Sequence, residues 1–490
     1  MLAGWLGIAC HNGSGPSEAH TGTVTVLDSA GLVDTVDALP GREFVLSILE
    51  PNGKGINGAD VFLHLSSQVT ADSSRLFWPA YPVYGVRTSL DTITAFVNDA
   101  GLVRFRFQRN QDAGTFPLVI RIPQIDYADT FNFIVQPGAA ETLAVIPSDT
   151  ALYRGASVQL RAAVLDRYGN PRTDPVTYSA LGNGLQVTPS GRVTAGSAFA
   201  RDSIKASGTI GGATATATGY LSIVPSGELA VAYHGVNSTD VAMVGLDGSG
   251  LVQILNVPNG ETTLNAVGWT PDGAWILFRD VAGFHRVSVT APHLREPFGA
   301  AAPGHSAPID GELSRNGQLL VTSQVRQFGN AEVFAHHGNG TNPRLLTPPL
   351  SFPQPYSLAW RPSPSPDGTR VAVISDDLNG GLRVVDASTG TPEPWVTWAQ
   401  RPRWSPLGDL IAFTTPGNGP LKVIHPDGSG ERVVSPPGMA YREYLLSWST
   451  DGQWLLAMDT SQHLHLVSVV TELSLPLGYS ARMWDAAIRP

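Results

Sequence analysis

Residue types that do chemistry are thinly spread along this sequence. His463 and His465, in HLHLV, stand two apart. That spacing puts both imidazoles on one face of a strand, where they could hold a metal ion. Two half-exposed strand positions are the simpler reading, so no metal is expected. His336 and His337 are adjacent and must face opposite sides of any strand. Asp376 and Asp377 before LNGG suit a hairpin turn with solvated acids better than a calcium loop. The recurring DGSG turns lack the carboxylate spacing of a calcium-binding hand. No Gly-x-Ser-x-Gly elbow and no His-Glu-x-x-His pair occurs. The expectation is a non-enzymatic chain with no catalytic residue, metal or cofactor.

The elements that would position any site are strands. Gly (52) and Pro (38) are abundant and charged residues are only 15% of the 490, a mixture for short strands and tight turns rather than long helices. The net charge is -10, and Lys appears only at Lys54, Lys205 and Lys422. With no basic run, nucleic acid is not an expected partner. No stretch approaches the length of a membrane-crossing helix. A chain of this length divides into several domains.

The clearest organisation is a repeat in residues 226–490. The phrases VGWTPDGAWILF, GELSRNGQLLVTS, LAWRPSPSPDGTRVAVIS, PRWSPLGDLIAF and LSWSTDGQWLLAM recur with a period of about 44 residues, the size of a four-stranded propeller blade of the WD40-like kind. Trp269, Leu313, Trp360, Trp404 and Trp448 are read as holding one place in it, the tryptophans packing between neighbouring blades. The segment opens with outer strands that lack this phrase and closes with YSARMWDAAIRP, which carries it at Trp484. Joined, the two ends make a sixth blade, so a six-bladed β-propeller closed by the C-terminal strand is expected. The phrases resemble the propellers of the TolB family, which repeat WSPDG and DGSG and engage protein partners at the channel opening. If the aromatic strand is innermost, residues just before each aromatic approach the channel mouth: Asn265, Asp310, Tyr356, Arg401, Arg403, Arg442, Glu443 and Arg482. Their arginines would favour an anionic group or an acidic partner segment.

Upstream, alternating segments such as GLVRFRFQ and TFNFIV suggest a β-sandwich over 21–137. The stretch VTADSSRLFWPAYPVYGVRTSL reads as a loop inserted in it, presenting Phe77, Trp78, Tyr81 and Tyr84. A second sandwich is expected over 138–225, with a turn at DRYGNP. NGKGINGADVFLHL and NDAGLVRFRF are similar to invasin-type Ig-like modules. Gly155, Val158, Leu160, Asp166, Gly169, Asn170, Val176, Tyr178, Ser190, Gly191, Val193 and Ile204 resemble the intimin-type pattern of bacterial Ig-like domains, with Tyr178 where a Trp is usual. The fold class is therefore all-β: two Ig-like β-sandwiches followed by the propeller.

Residues 1–20 combine a short apolar stretch, Cys10 and a polar linker, resembling a lipoprotein signal segment with Cys10 as the lipidated residue. Together these readings describe an exported protein, periplasmic or anchored to the outer membrane as a lipoprotein, that touches membrane only through Cys10. It would be a cell-envelope interaction protein whose propeller binds an envelope protein or polymer while the sandwiches act as spacers. A propeller enzyme acting on polysaccharide, a lyase or hydrolase, and a purely structural surface protein are the alternatives.

Overall fold

The computed structural model describes residues 22–27, 33–36, 43–56, 58–65, 74–77, 92–109, 112–235, 238–258, 265–280, 283–326, 331–346, 362–375, 381–395, 397–478 and 483–490. All regular structure among them is β, apart from one short 3-10 turn at Pro123–Ile125. The chain forms two units, one of residues 1–144, 162–176 and 207–217, the other of 145–161, 177–206 and 218–490. The division runs through the segment expected as a second sandwich.

In the first unit, Thr23–Val26, Glu43–Leu49, Leu102–Arg109 and Ser74–Phe77 form one sheet. Val33–Thr35, Tyr127–Gln136, Gly114–Ile122, Asp60–Leu65 and Thr92–Phe96 form a second. Alternation turns Phe44, Leu46, Val103, Phe105, Ile120 and Phe133 into one core. Phe44 meets Phe133 edge-on at 5.1 Å, a preferred aromatic geometry. One expectation is corrected: Ser74–Phe77, read as part of an inserted loop, is an edge strand with Phe77 opposite Arg106. Its short run of alternating residues completes the first sheet. Trp78, Tyr81 and Tyr84 lie outside the described residues.

Near the start of the second unit, Asp149–Tyr153 runs parallel to Ala213–Val224. Ala151 and Val224 are buried in the same cluster as Trp454, Leu475 and Leu477. Phe199 packs edge-on against Trp454 at 5.2 Å, and the Tyr153 hydroxyl donates to the Gly227 carbonyl.

The described residues from Glu228 to Ile488 form a β-propeller. Six four-stranded antiparallel sheets occur among the described residues of this stretch. Five begin with Asn265–Trp269, Asp310–Leu313, Ser363–Pro364, Gln400–Trp404 and Tyr441–Trp448. The other unites Met483–Ile488 with Glu228–Gly235, Ser238–Gly245 and Val252–Pro258. Ile488 stands opposite Leu229 and Ala486 opposite Val231. These first strands touch one another in chain order, and Met483–Ile488 touches both Tyr441–Trp448 and Asn265–Trp269. The strands are apolar on both faces because each sheet is covered on both sides by its neighbours. Trp454–Asp459, for example, is buried from Trp454 to Met458.

The repeat needs one correction of register. The Trp448 indole Nε1 donates to the Arg403 carbonyl, and that of Trp269 donates to the Ala487 carbonyl. Each Trp thus reaches the residue preceding the same place in another blade. By that criterion Ile488, not Trp484, holds the place in the last strand. In the third blade Pro364 holds it, since Ser365, Asp367 and Gly368 follow as Ser449, Asp451 and Gly452 follow Trp448. Trp360 lies outside the described residues.

Candidate axial binding site

The turn after four of the six first strands is locked by a hydroxyl that works twice. Thr270, Ser314, Ser365 and Ser449 donate to Asp272, Asn316, Asp367 and Asp451 at 2.5–2.7 Å. The same oxygens accept the backbone N–H of Trp275, Leu319, Arg370 and Trp454. The next residue is a glycine in the left-handed region (Gly273, φ 63°; Gly452, φ 68°), where other residues are strained. These hydroxyl contacts hold the Asp272 and Asp367 carboxyls below the ordinary aspartate range. The sequence Ser/Thr-x-Asp/Asn-Gly therefore builds a stiff rim in which the acids are turned into their own turns.

Inside this rim lies a cavity of about 150 Å³ to which all six first strands contribute. Pro271, Arg315, Pro366, Pro406, Thr450 and Pro490 form its edge. Trp269, Leu313, Pro364, Trp404, Trp448 and Ile488 form its wall. One residue earlier on the strands, Gly268, Glu312, Arg403, Ser447 and Ala487 form the floor. Arg403 Nη1 lies 3.5 Å from Glu312 Oε2, joining strands that are not neighbours. Glu312 keeps 32% of its side chain exposed while its Oε2 has no hydrogen-bond partner. Enclosure pushes the Glu312 carboxyl above the ordinary glutamate range, and the Arg403 guanidinium opposes this only in part.

Two residues earlier than Arg403 on its strand, an ion pair reaches across the channel. Arg401 Nη2 donates to both carboxylate oxygens of Asp485 at 3.2 and 3.3 Å, with side chains only 2% and 4% exposed. Arg401 sits in a bulge between Gln400 and Arg403, at a φ of 45° that non-glycine residues rarely adopt.

The residues expected at the channel mouth are therefore dispersed. Of those among the described residues, only Arg403 lines the cavity. Arg401 is buried in its ion pair rather than presented to a ligand. Asp310 is buried and its carboxylate accepts the Gly311 N–H. Arg442 donates to the Thr460 carbonyl at 3.1 Å, and Glu443 is half-buried on the same strand. Asn265 pairs with Arg279 across its sheet. Tyr356, Arg482, Asp376, Asp377 and Cys10 lie outside the described residues. Sequence reasoning missed Glu312, Arg315 and Asp485. Glu312 stands one place before Leu313 as Arg403 stands one place before Trp404, so the repeat itself carried the signal for Glu312.

The histidines fall elsewhere. His463 Nδ1 and His465 Nε2 both approach Asp459 Oδ2, at 3.4 and 3.3 Å, and His465 Nδ1 meets Ser474 Oγ at 2.9 Å. This has the membership of a Ser-His-Asp triad. The His465 ring, however, is buried, and Ser474 Oγ also bonds the fully buried Tyr441 hydroxyl, whose pKa burial pushes up to about 12. The group ties the strands of one blade together. Among the described residues no group of three or more His, Cys, Asp and Glu is placed to hold a metal ion.

No protein-family model and no curated protein matches the chain. The fold is similar to TolB from Acinetobacter baumannii, at 13% identity over 64% of this chain and 83% of that one, with a TM-score of 0.43. It is also similar to a TolB-type protein of Agrobacterium tumefaciens, at 18% identity over 51% and 87%, TM-score 0.40. A third likeness is to an oligogalacturonate lyase from Vibrio parahaemolyticus, at 13% identity over 51% and 73%, TM-score 0.33. At these scores the likenesses carry no argument about function.

Proposed function

We propose that this chain is a non-enzymatic interaction protein of the cell envelope, a six-bladed propeller closed by its C-terminal strand and preceded by two Ig-like sandwiches. In this reading it is exported, held to a membrane by a lipid on Cys10, and engages a protein partner at the axial cavity. The observation that carries the reading is the cavity: all six first strands contribute to it, its edge is stiffened by prolines and hydroxyl-locked turns, and its floor holds Arg403 against Glu312. A concave, mostly apolar site with a few convergent polar groups is the usual form of a binding site. The test is capture from detergent-solubilised envelope by the full chain and by Thr450→Trp, which narrows the rim where no hydrogen bond of Thr450 is recorded among the described residues. A partner retained by the parent and lost by the folded variant supports the reading. A partner held equally by both places binding elsewhere.

A further inference from the structure

The cavity's charge and the ion pair below its floor say what kind of partner segment enters. We propose that it receives the carboxy-terminal end of an extended polypeptide, its terminal carboxylate held between Arg315 at the rim and Arg403 on the floor. This rests on the axial cavity being the binding site.

Three observations lead there. The Arg401–Asp485 pair reaches across the channel below the floor with both side chains almost fully buried, an arrangement that suits the entry of a chain end better than a chain running through. The charged side chains lining the cavity are Glu312, Arg315 and Arg403, two basic groups against one acid. Arg315 is exposed and has no ion pair recorded among the described residues, while Arg403 is shared with Glu312 at 3.5 Å. A carboxylate end is therefore favoured over an ammonium end, and guanidinium groups match its planar geometry. Finally, three of the four lining hydroxyls already make a hydrogen bond among the described residues, Thr450 at the rim being the exception. Ser405 donates to Asp409, Ser447 accepts from the Ile488 N–H, and Ser449 serves Asp451 and Trp454. A sugar acid would find few hydroxyl partners here, whereas an apolar terminal side chain finds Leu446, Ile488 and the tryptophans.

Glu312 competes with the ligand for Arg403, so removing its charge strengthens binding. The experiment screens the full chain, by fluorescence anisotropy, against a library of hexapeptides ending in apolar residues, each made as free acid and as carboxamide. Amidated peptides with internal Asp or Glu form a third set. The expected result is binding of free acids, about tenfold weaker binding of their amides, a similar loss in Arg315→Gln and tighter binding in Glu312→Gln. Arg315 is exposed, so its variant should fold, which unfolding midpoints verify. Equal binding of acids and amides, or binding by the internally acidic amides, overturns the chain-end proposal and leaves the cavity as the site. No binding by any set, with the protein folded, overturns both.

Discussion

Arg401 and Asp485 offer the sharpest stability test, because the pair joins the fourth blade to the last strand of the chain. The nearest nitrogen–oxygen distance is 3.2 Å. At an effective dielectric constant near 20, unit charges so placed attract by about 5 kcal/mol, most of which offsets the desolvation of two enclosed ions. Deleting one partner removes the attraction and leaves the other charge stranded. Arg401→Ala and Asp485→Ala should each lower the unfolding free energy by about 3–5 kcal/mol. Arg401→Gly should recover about 1 kcal/mol of that, since glycine adopts the observed φ of 45° without strain. The double variant Arg401→Met with Asp485→Leu should lie close to the parent, because it strands neither charge. Denaturant unfolding of all four variants supplies the numbers. Single variants within about 0.5 kcal/mol of the parent would refute the reasoning, because a buried, unpaired charge cannot be that cheap.

Other expectations concern single groups. His336 is buried against Thr322 Oγ1, and burial lowers its pKa from 6.5 to about 4. The folded state thus resists protonation that the unfolded chain accepts. Its contribution is complete above pH 6.5 and is lost as pH falls toward 4, by up to about 3 kcal/mol. Comparing urea midpoints at pH 7 and 4.5, His336→Asn should flatten that slope. Trp448→Phe deletes the indole bond to the Arg403 carbonyl at 2.9 Å and should cost about 1–3 kcal/mol by leaving a buried acceptor unpaired, again read from urea midpoints. Gly390→Ala would place a methyl 2.3 Å from the Leu346 carbonyl oxygen at a φ of 73°, so its thermal midpoint should fall by several degrees.

Sequence gave access to the all-β class and the propeller repeat but to little of the site, for physical reasons. Strand positions follow from alternation and turn residues, which are local, so the four-stranded units of the repeat could be counted before any coordinate. The place within each unit was harder. Trp360 and Trp484 are conspicuous, yet Pro364 and Ile488 stand where the blade geometry puts Trp269 and Trp448. The backbone turn sets the register, and that turn is written in Ser365, Asp367 and Gly368 rather than in an aromatic. The site was harder still. Arg401 and Arg403 look alike in the sequence, but their acid partners, Asp485 and Glu312, lie 84 and 91 positions away and meet them only across the channel. Such pairing depends on how blades face one another, which no periodicity records. The edge strand Ser74–Phe77 was missed because four residues carry too short an alternation to stand out from a loop.

The central claim, that the rim of the axial cavity is where a partner is met, is tested most directly by site-specific photocrosslinking in cells. A photoreactive phenylalanine analogue replaces Thr450 at the rim in one strain and Val470 in another. Val470 is 76% exposed and lies outside the cavity lining. The account predicts a discrete adduct from position 450 that is absent from position 470 and weakened by Arg315→Gln. Adducts from position 470 alone, or identical adducts from both positions, would contradict it.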